Sequence, residues 1–271
     1  MNSGGNLQLR LLTAAIGLPL VIVCILAGGW LFAIVAAIVA LLATAEFVHG
    51  WLFPSRPISA VASNAATFGV VAVVVGGVHA DTRFFVLGAG FAAVCAVAGY
   101  SRSNRVGPRK PWRVLSWAMV YVGGPLAAFV LLRDSLGGKE WAFLAILATF
   151  AVDTGAYATG KLIGRHKMAP AISPGKTWEG AAGGYVAGVV AVFALNAAMN
   201  TGVPAAVVAP AAIVLPLVAQ AGDLFESWMK RRMGVKDASG LLPGHGGFLD
   251  RLDSLTAVVP LLYLYLRLRV L

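Results

Sequence analysis

Asp223, Glu226, Ser227 and Lys230 are spaced i, i+3, i+4 and i+7. A helix through them puts two carboxylates, a hydroxyl and an amine on one face. Asp250, Asp253 and Ser254 repeat that spacing at the start of the next segment. Between them runs Leu242-Pro243-Gly244-His245-Gly246-Gly247, whose glycines permit positive φ and let backbone N–H groups come close to a ligand. The stretch 223–254 holds Asp223, Glu226, Asp237, Asp250 and Asp253 of the chain's 11 acidic residues, together with Lys230, Arg231, Arg232, Lys236 and Arg251. Carboxylate-bearing helix ends joined by a basic, glycine-rich loop suit a divalent cation with a polyphosphate. Mg²⁺ takes one or two protein carboxylates and fills its other positions with waters and phosphate oxygens. A charge placed within an apolar segment costs roughly 2.5–3.5 kcal/mol near a helix centre, so charges retained there point to function.

A second polar cluster lies upstream. Asp153 falls inside an apolar run, in Asp153-Thr154-Gly155-Ala156-Tyr157, and the small residues Gly155, Ala156 and Gly160 suggest close helix packing. The loop after it reads Pro170-Ala171-Ile172-Ser173-Pro174-Gly175-Lys176-Thr177-Trp178-Glu179-Gly180. Gly175-Lys176-Thr177 imitates the end of a P-loop, but that motif needs a glycine where Pro170 stands, and no strand is expected before it. Ser173-Pro174 instead predicts a helix start, with Ser173 as the cap and Pro174 at the first helical position. A helix N-terminus there would attract phosphate, with Lys176 adding charge. Glu179 is balanced between supporting the site and favouring the helix dipole. Glu46, near the end of an apolar run, reads as an interfacial carboxylate pairing with a basic loop residue, or as support for the site.

The elements that must position these groups are membrane helices. The chain has 271 residues, 59% of them hydrophobic and only 12% charged, which excludes an ordinary soluble domain. The expected fold is all-α, a polytopic integral membrane protein with about nine spans of about 20 residues. They fall near 9–28, 30–50, 58–79, 83–100, 114–132, 140–160, 179–199, 203–229 and 252–270. The breaks at Gly28-Gly29 and Thr201-Gly202 are the shortest. Residues 1–135 form an N-terminal membrane region of about five helices. Residues 136–271 form a catalytic region of about four, with loops 161–178 and 230–251. With a cytoplasmic N-terminus, every one of the 21 Lys and Arg residues faces the cytoplasm except Arg83, Arg133, Lys139, Arg267 and Arg269. The net charge of +10 therefore reads as topology and attraction to anionic headgroups, and no nucleic-acid partner is expected. Arg10 and the apolar run behind it read as an uncleaved first helix. Cys24 and Cys95 both sit in apolar runs, which argues against a disulfide framework.

The run from Ser227 to Asp253 resembles the signature of the CDP-diacylglycerol synthases, also called phosphatidate cytidylyltransferases. Its S-x-x-K-R, K-D, P-G-H-G-G and D-R-x-D elements stand in order at that family's spacing. Residues 153–157 and 173–180 are similar to the family's D-T-G/A-A-Y and S-P-K-K-T-W-E-G elements, with Gly175 in place of the first lysine. The likeness is strong over the C-terminal half and limited to hydropathy before it. It implies a reaction of CTP with phosphatidate to give CDP-diacylglycerol and pyrophosphate, within phospholipid biosynthesis. The choice of cytidine rests on the resemblance alone. So does a homodimer. The expected location is the cell inner (plasma) membrane, with the site on the cytoplasmic side as the cation distribution indicates. In this reading Asp223 and Asp250 bind Mg²⁺, and Asp153, Glu226 and Asp253 are further candidates for that ion or a second metal. Lys176, Lys230, Arg231 and Arg251 hold phosphates. Ser173, Thr177, Ser227, Lys236, His245 and Gly246 contact substrate, His245 as a donor to phosphate more than as a base. A CTP-dependent lipid-alcohol kinase would lack the long signature. A transporter would carry its charges nearer the bilayer midplane.

Overall fold

The computed structural model describes residues 3–52, 114 and 117–270. The expected spans 58–79 and 83–100 and the basic loop 101–112 lie outside the described residues. The described chain is helical apart from one small hairpin, and it divides into two compact units. One comprises residues 1–134 with 235–252. The other comprises residues 135–234 with 253–271.

In the first unit, α1 (Ser3–Ala27) and α2 (Gly29–Leu52) meet at the expected Gly28-Gly29 break. Gly28 adopts φ +63°, and Arg133 stands where its side chain would be. The Arg133 guanidinium donates to the carbonyls of Ile25 at 2.5 Å and Leu26 at 3.2 Å. A cation thus satisfies the orphan carbonyls at the negative end of α1. Along α2, Ala33, Ala36, Ala37, Ala40, Ala43 and Phe47 are buried at helical spacing, while Trp30, Leu31, Ile34 and Ile38 are exposed. Small residues on the inner face let the neighbouring backbone come close; the large apolar outer face suits lipid. The expected span 114–132 is not one regular helix. A π-helical turn at Met119–Gly123 precedes α3 (Gly124–Asp134). Phe32 packs edge-on against Phe129, and Phe47 packs against Tyr121 with the rings tilted by 35°.

The second unit is built from α4 (Gly138–Ile163), α5 (Trp178–Ala198), α6 (Ala205–Met233) and α8 (Leu255–Arg269). Gly180, Gly184 and Gly188 recur every four residues along α5 and are all buried. A Cβ at Gly184 would sit 2.8 Å from the Val152 carbonyl oxygen, so α4 and α5 touch backbone to backbone. The glycines of residues 180–184 therefore serve packing. Trp141, Leu144, Val192, Val208, Leu215, Leu262 and Leu266 form the apolar core. Tyr265 closes it by donating its hydroxyl to the Val207 carbonyl.

Between α4 and α5 lies the departure from an all-helical chain. β1 (Lys167–Ala169) pairs antiparallel with β2 (Ser173–Thr177), with Lys167 opposite Thr177 and Ala169 opposite Ser173. The expected helix start at Ser173 is wrong. Thr177 is the cap, extended at φ −126°, and its hydroxyl accepts from Gly180 N at 3.1 Å. A strand does precede Gly175, but it belongs to an antiparallel hairpin and not to the strand–loop–helix of a P-loop. Residues 250–254 correct a second expectation. Asp250 lies on a separate short helix, α7 (Leu249–Leu252), and a turn at Asp253 and Ser254 precedes α8. Asp250, Asp253 and Ser254 therefore share no continuous helix face.

Among the described residues, four helices are long and apolar enough to cross a membrane: Gly29–Trp51, Gly138–Ile163, Trp178–Ala198 and Ala205–Met233. The membrane class expected from composition agrees with them.

Candidate active site

In the second unit, α6 carries its expected face intact to the helix end. Asp223 and Lys176 of β2 form an ion pair, with Nζ 2.7 Å from Oδ2; both side chains are under a third exposed. One turn on, Glu226 is fully buried and pairs with Lys230, with Nζ 3.0 Å from Oε1. Ser227 is half-buried beside them. Arg231 Nε donates to the Ile172 carbonyl at 3.0 Å and so ties the end of α6 to the hairpin turn. Gly234 ends the helix at φ +82°, behind Lys230, Arg231 and Arg232, three cations at the negative end of the dipole.

The hairpin is held at its base by Glu179. Its carboxylate accepts from the backbone N–H groups of Arg165 and His166, and lies 2.5 Å from His166 Nδ1. Trp178 N closes the base on the His166 carbonyl. Glu179 thus braces the strand that carries Lys176, and it also stands in the first turn of α5. Ser173 is half-buried on β2. Thr177 is buried with its hydroxyl engaged by α5. Asp153 is exposed on α4. Asp253 is half-buried, and its carbonyl lies 3.0 Å from where a Cβ at Gly222 would stand. Its backbone is therefore packed against α6 one residue before Asp223.

The first unit holds the glycine-rich loop. Asp250 is buried, and its Oδ2 accepts from Gly247 N at 2.7 Å and Ala238 N at 2.9 Å. The loop folds on itself through Leu242 N to the Gly246 carbonyl and His245 N to the Leu242 carbonyl, both at 2.8 Å. Gly244 and Gly246 take φ +74° and +80°, the positive values that the glycine run leads one to expect. His245 is half-buried, with its Nδ1 shielded from solvent and without a hydrogen-bond partner. Lys236 and Arg251 are exposed. Among the described residues no ion pair joins Lys236 to Asp237.

Glu46 behaves in neither expected way alone. It takes no basic partner among the described residues. It reaches the loop from α2 and accepts from Ser239 Oγ, Phe248 N and Leu249 N. Sequence reasoning missed Ser239, and missed Thr13, whose hydroxyl donates to the Pro243 carbonyl at 3.0 Å. It missed His166 as well. No local signal marks them, because each acts on a segment distant in sequence or through main-chain groups.

Among the described residues no three His, Cys, Asp or Glu side chains gather into a metal-binding group. The second unit instead offers single carboxylates beside lysines. That arrangement suits an anionic, phosphate-bearing ligand that brings part of a cation's coordination shell with it.

The family model described as Cytidylyltransferase family matches residues 8–269. Over 155 residues the chain is 45% identical to a phosphatidate cytidylyltransferase of Brucella suis biovar 1 (strain 1330), covering 54% of each chain. Over 149 residues it is 40% identical to a phosphatidate cytidylyltransferase of Staphylococcus aureus (strain COL), covering 55% of this chain and 56% of that one. A Staphylococcus saprophyticus protein of the same name is 38% identical over 149 residues. The chain spans about half the length of the curated relatives it matches.

Proposed function

Because this chain belongs to the cytidylyltransferase family, we propose that it is a phosphatidate cytidylyltransferase, joining CTP and phosphatidate into CDP-diacylglycerol and pyrophosphate. A phosphate oxygen of phosphatidate attacks the α-phosphorus of CTP. A new P–O bond forms there, the bond from that phosphorus to the oxygen bridging to the β-phosphate breaks, and pyrophosphate leaves with the electron pair. The nucleophile is already an anion near neutral pH, so no general base is needed. Catalysis then rests on holding two anions in line and neutralising charge that moves onto pyrophosphate.

The observation that carries the reading is the Lys176–Asp223 pair, a half-buried amine and carboxylate side by side at 2.7 Å. Lys176 would exchange part of its contact with Asp223 for a triphosphate oxygen. Lys230 and Arg231 supply further positive charge at the end of the same helix, and Arg251 is proposed to hold phosphate. Mg²⁺ fits Asp223 as its protein ligand, and when bound supplies charge neutralisation and alignment of the phosphates. Asp250 is retained as a metal ligand on its sequence pattern alone, as are Asp153, Glu226 and Asp253 for that ion or a second one. Ser173, Thr177, Ser227, Lys236, His245 and Gly246 are proposed substrate contacts. The proposal extends to a multi-pass homodimer in the bacterial plasma membrane, with the reaction at the cytoplasmic face.

The test is pyrophosphate release by purified protein given phosphatidate and CTP, with Mg²⁺ or with EDTA, the product lipid being identified by mass. Metal-dependent CDP-diacylglycerol formation that Asp223→Asn abolishes is the expected result. CDP released from CTP with a lipid alcohol, and no reaction with phosphatidate, would replace the proposal with a kinase.

A further inference from the structure

We infer that Glu46 is a positioning residue that sets the shape of the glycine-rich loop through main-chain hydrogen bonds. The inference rests on the reading of that loop as a phosphate contact, and it assigns that phosphate to CTP. Glu46 is 5% exposed on α2, and no ion pair among the described residues includes it. A buried carboxylate without a cation persists only if hydrogen-bond donors replace its water. Here the loop supplies them: Ser239 Oγ at 2.6 Å and Phe248 N at 3.1 Å to Oε1, and Leu249 N at 2.8 Å to Oε2.

The approach is close. A Cβ at Gly247 would lie 2.5 Å from Glu46 Oε2 and 2.7 Å from its Cδ, so a side chain there would push the Glu46 carboxylate off its donors. The N–H of the same Gly247 is taken by Asp250 Oδ2 at 2.7 Å. The segment carrying His245 and Gly246 is thus fixed from two sides, by a carboxylate from α2 and by one from its own following helix. Both the length of Glu46 and its two acceptor oxygens enter these contacts. Aspartate is one methylene short of the three donors. Glutamine keeps one acceptor oxygen but turns an N–H₂ group toward one of the donors.

The experiment uses the full chain in lipid nanodiscs, as wild type, Glu46→Gln and Glu46→Asp. Two readouts are taken: hydrogen exchange of the peptide containing Phe248 and Leu249, and KM for CTP and for phosphatidate measured separately. Exchange in that peptide should quicken at least tenfold in both variants, while peptides of α4 and α5 stay unchanged. KM for CTP should rise about tenfold in Glu46→Gln, the loss of one charge-assisted hydrogen bond, with KM for phosphatidate unaltered. Unchanged exchange overturns the inference whatever the activity. Quickened exchange with both KM values unchanged, and only the amount of active protein reduced, also overturns it, since that is what a merely structural residue does. If the Glu46 variants fail to fold, Ser239→Ala removes one of the three donors and carries the same two readouts. A wild type that turns over no nucleotide overturns the enzyme reading and the loop's catalytic meaning. Exchange in the same sample still decides whether Glu46 holds the loop.

Discussion

Two ion pairs one helical turn apart have different jobs, and burial separates them. Lys176 Nζ is shielded, but the Asp223 side chain is 29% exposed, so removing the lysine leaves a carboxylate that water reaches, and the loss of stability is small. Glu226 and Lys230 are shielded, and deleting one partner of such a pair costs roughly 3–5 kcal/mol. Lys176→Met should therefore leave the melting temperature nearly unchanged while lowering kcat/KM by about a hundredfold or more, the usual loss for one group that stabilises developing charge. Lys230→Met should lower the melting temperature markedly as well as the activity. Thermal unfolding in detergent, set beside pyrophosphate release, separates the two. Equal melting losses for both substitutions would mean that the Lys176 pair is structural and that the function proposed for it is misplaced. The residue scale was largely legible in the sequence for α6, because the spacing from Asp223 to Lys230 survives any error in the ends of a long helix. For Glu46 a supporting role was one of two readings, but its partners were not legible: the Ser239 hydroxyl and two backbone N–H groups about two hundred positions away.

At the scale of elements, α4 and α5 pack through glycine, and the hairpin between them grows out of that contact. A side chain at Gly184 would meet the Val152 carbonyl at 2.8 Å, with Ala156 Cβ at the same distance. Gly184→Val should force the helices apart and destabilise by about 1–3 kcal/mol, the usual cost of overpacking, and should lower activity by displacing the strand that carries Lys176. A denaturation midpoint measured in mixed micelles checks the first part. An unchanged midpoint would mean that the two helices do not meet there. Thr177→Val removes the cap of α5 and should cost about 1 kcal/mol in the same measurement. The small-residue pattern was readable because helix packing is periodic and local. The hairpin was not, because Ser173-Pro174 satisfies the local rules for starting a helix equally well. What decides the matter is Glu179, which draws in the N–H groups of Arg165 and His166 and leaves Thr177 to cap α5. That contact spans the whole loop and has no signature in a short window.

For the whole molecule, apolar composition sets the class and the distribution of cations sets its direction. Lys161 in the last turn of α4 and Arg165, Lys167 and Lys176 in the segment between α4 and α5 gather positive charge, whereas residues 199–204, between α5 and α6, carry no charge. A 21-residue apolar helix separates the two segments, about 30 Å at 1.5 Å per residue, which is one hydrocarbon thickness. If α5 crosses the bilayer, the two segments face opposite sides, and the positive-inside rule puts the basic one in the cytoplasm with the nucleotide. Accessibility labelling in a chain with Cys24 and Cys95 replaced by alanine tests this orientation. Lys167→Cys should react with a membrane-impermeant maleimide only in inside-out vesicles, and Thr201→Cys only in right-side-out ones. Reaction of both from one side would remove α5 as a spanning helix. Reaction of each from the reverse side would put Lys176 across the membrane from cytoplasmic CTP, and the proposed chemistry would then have no substrate there.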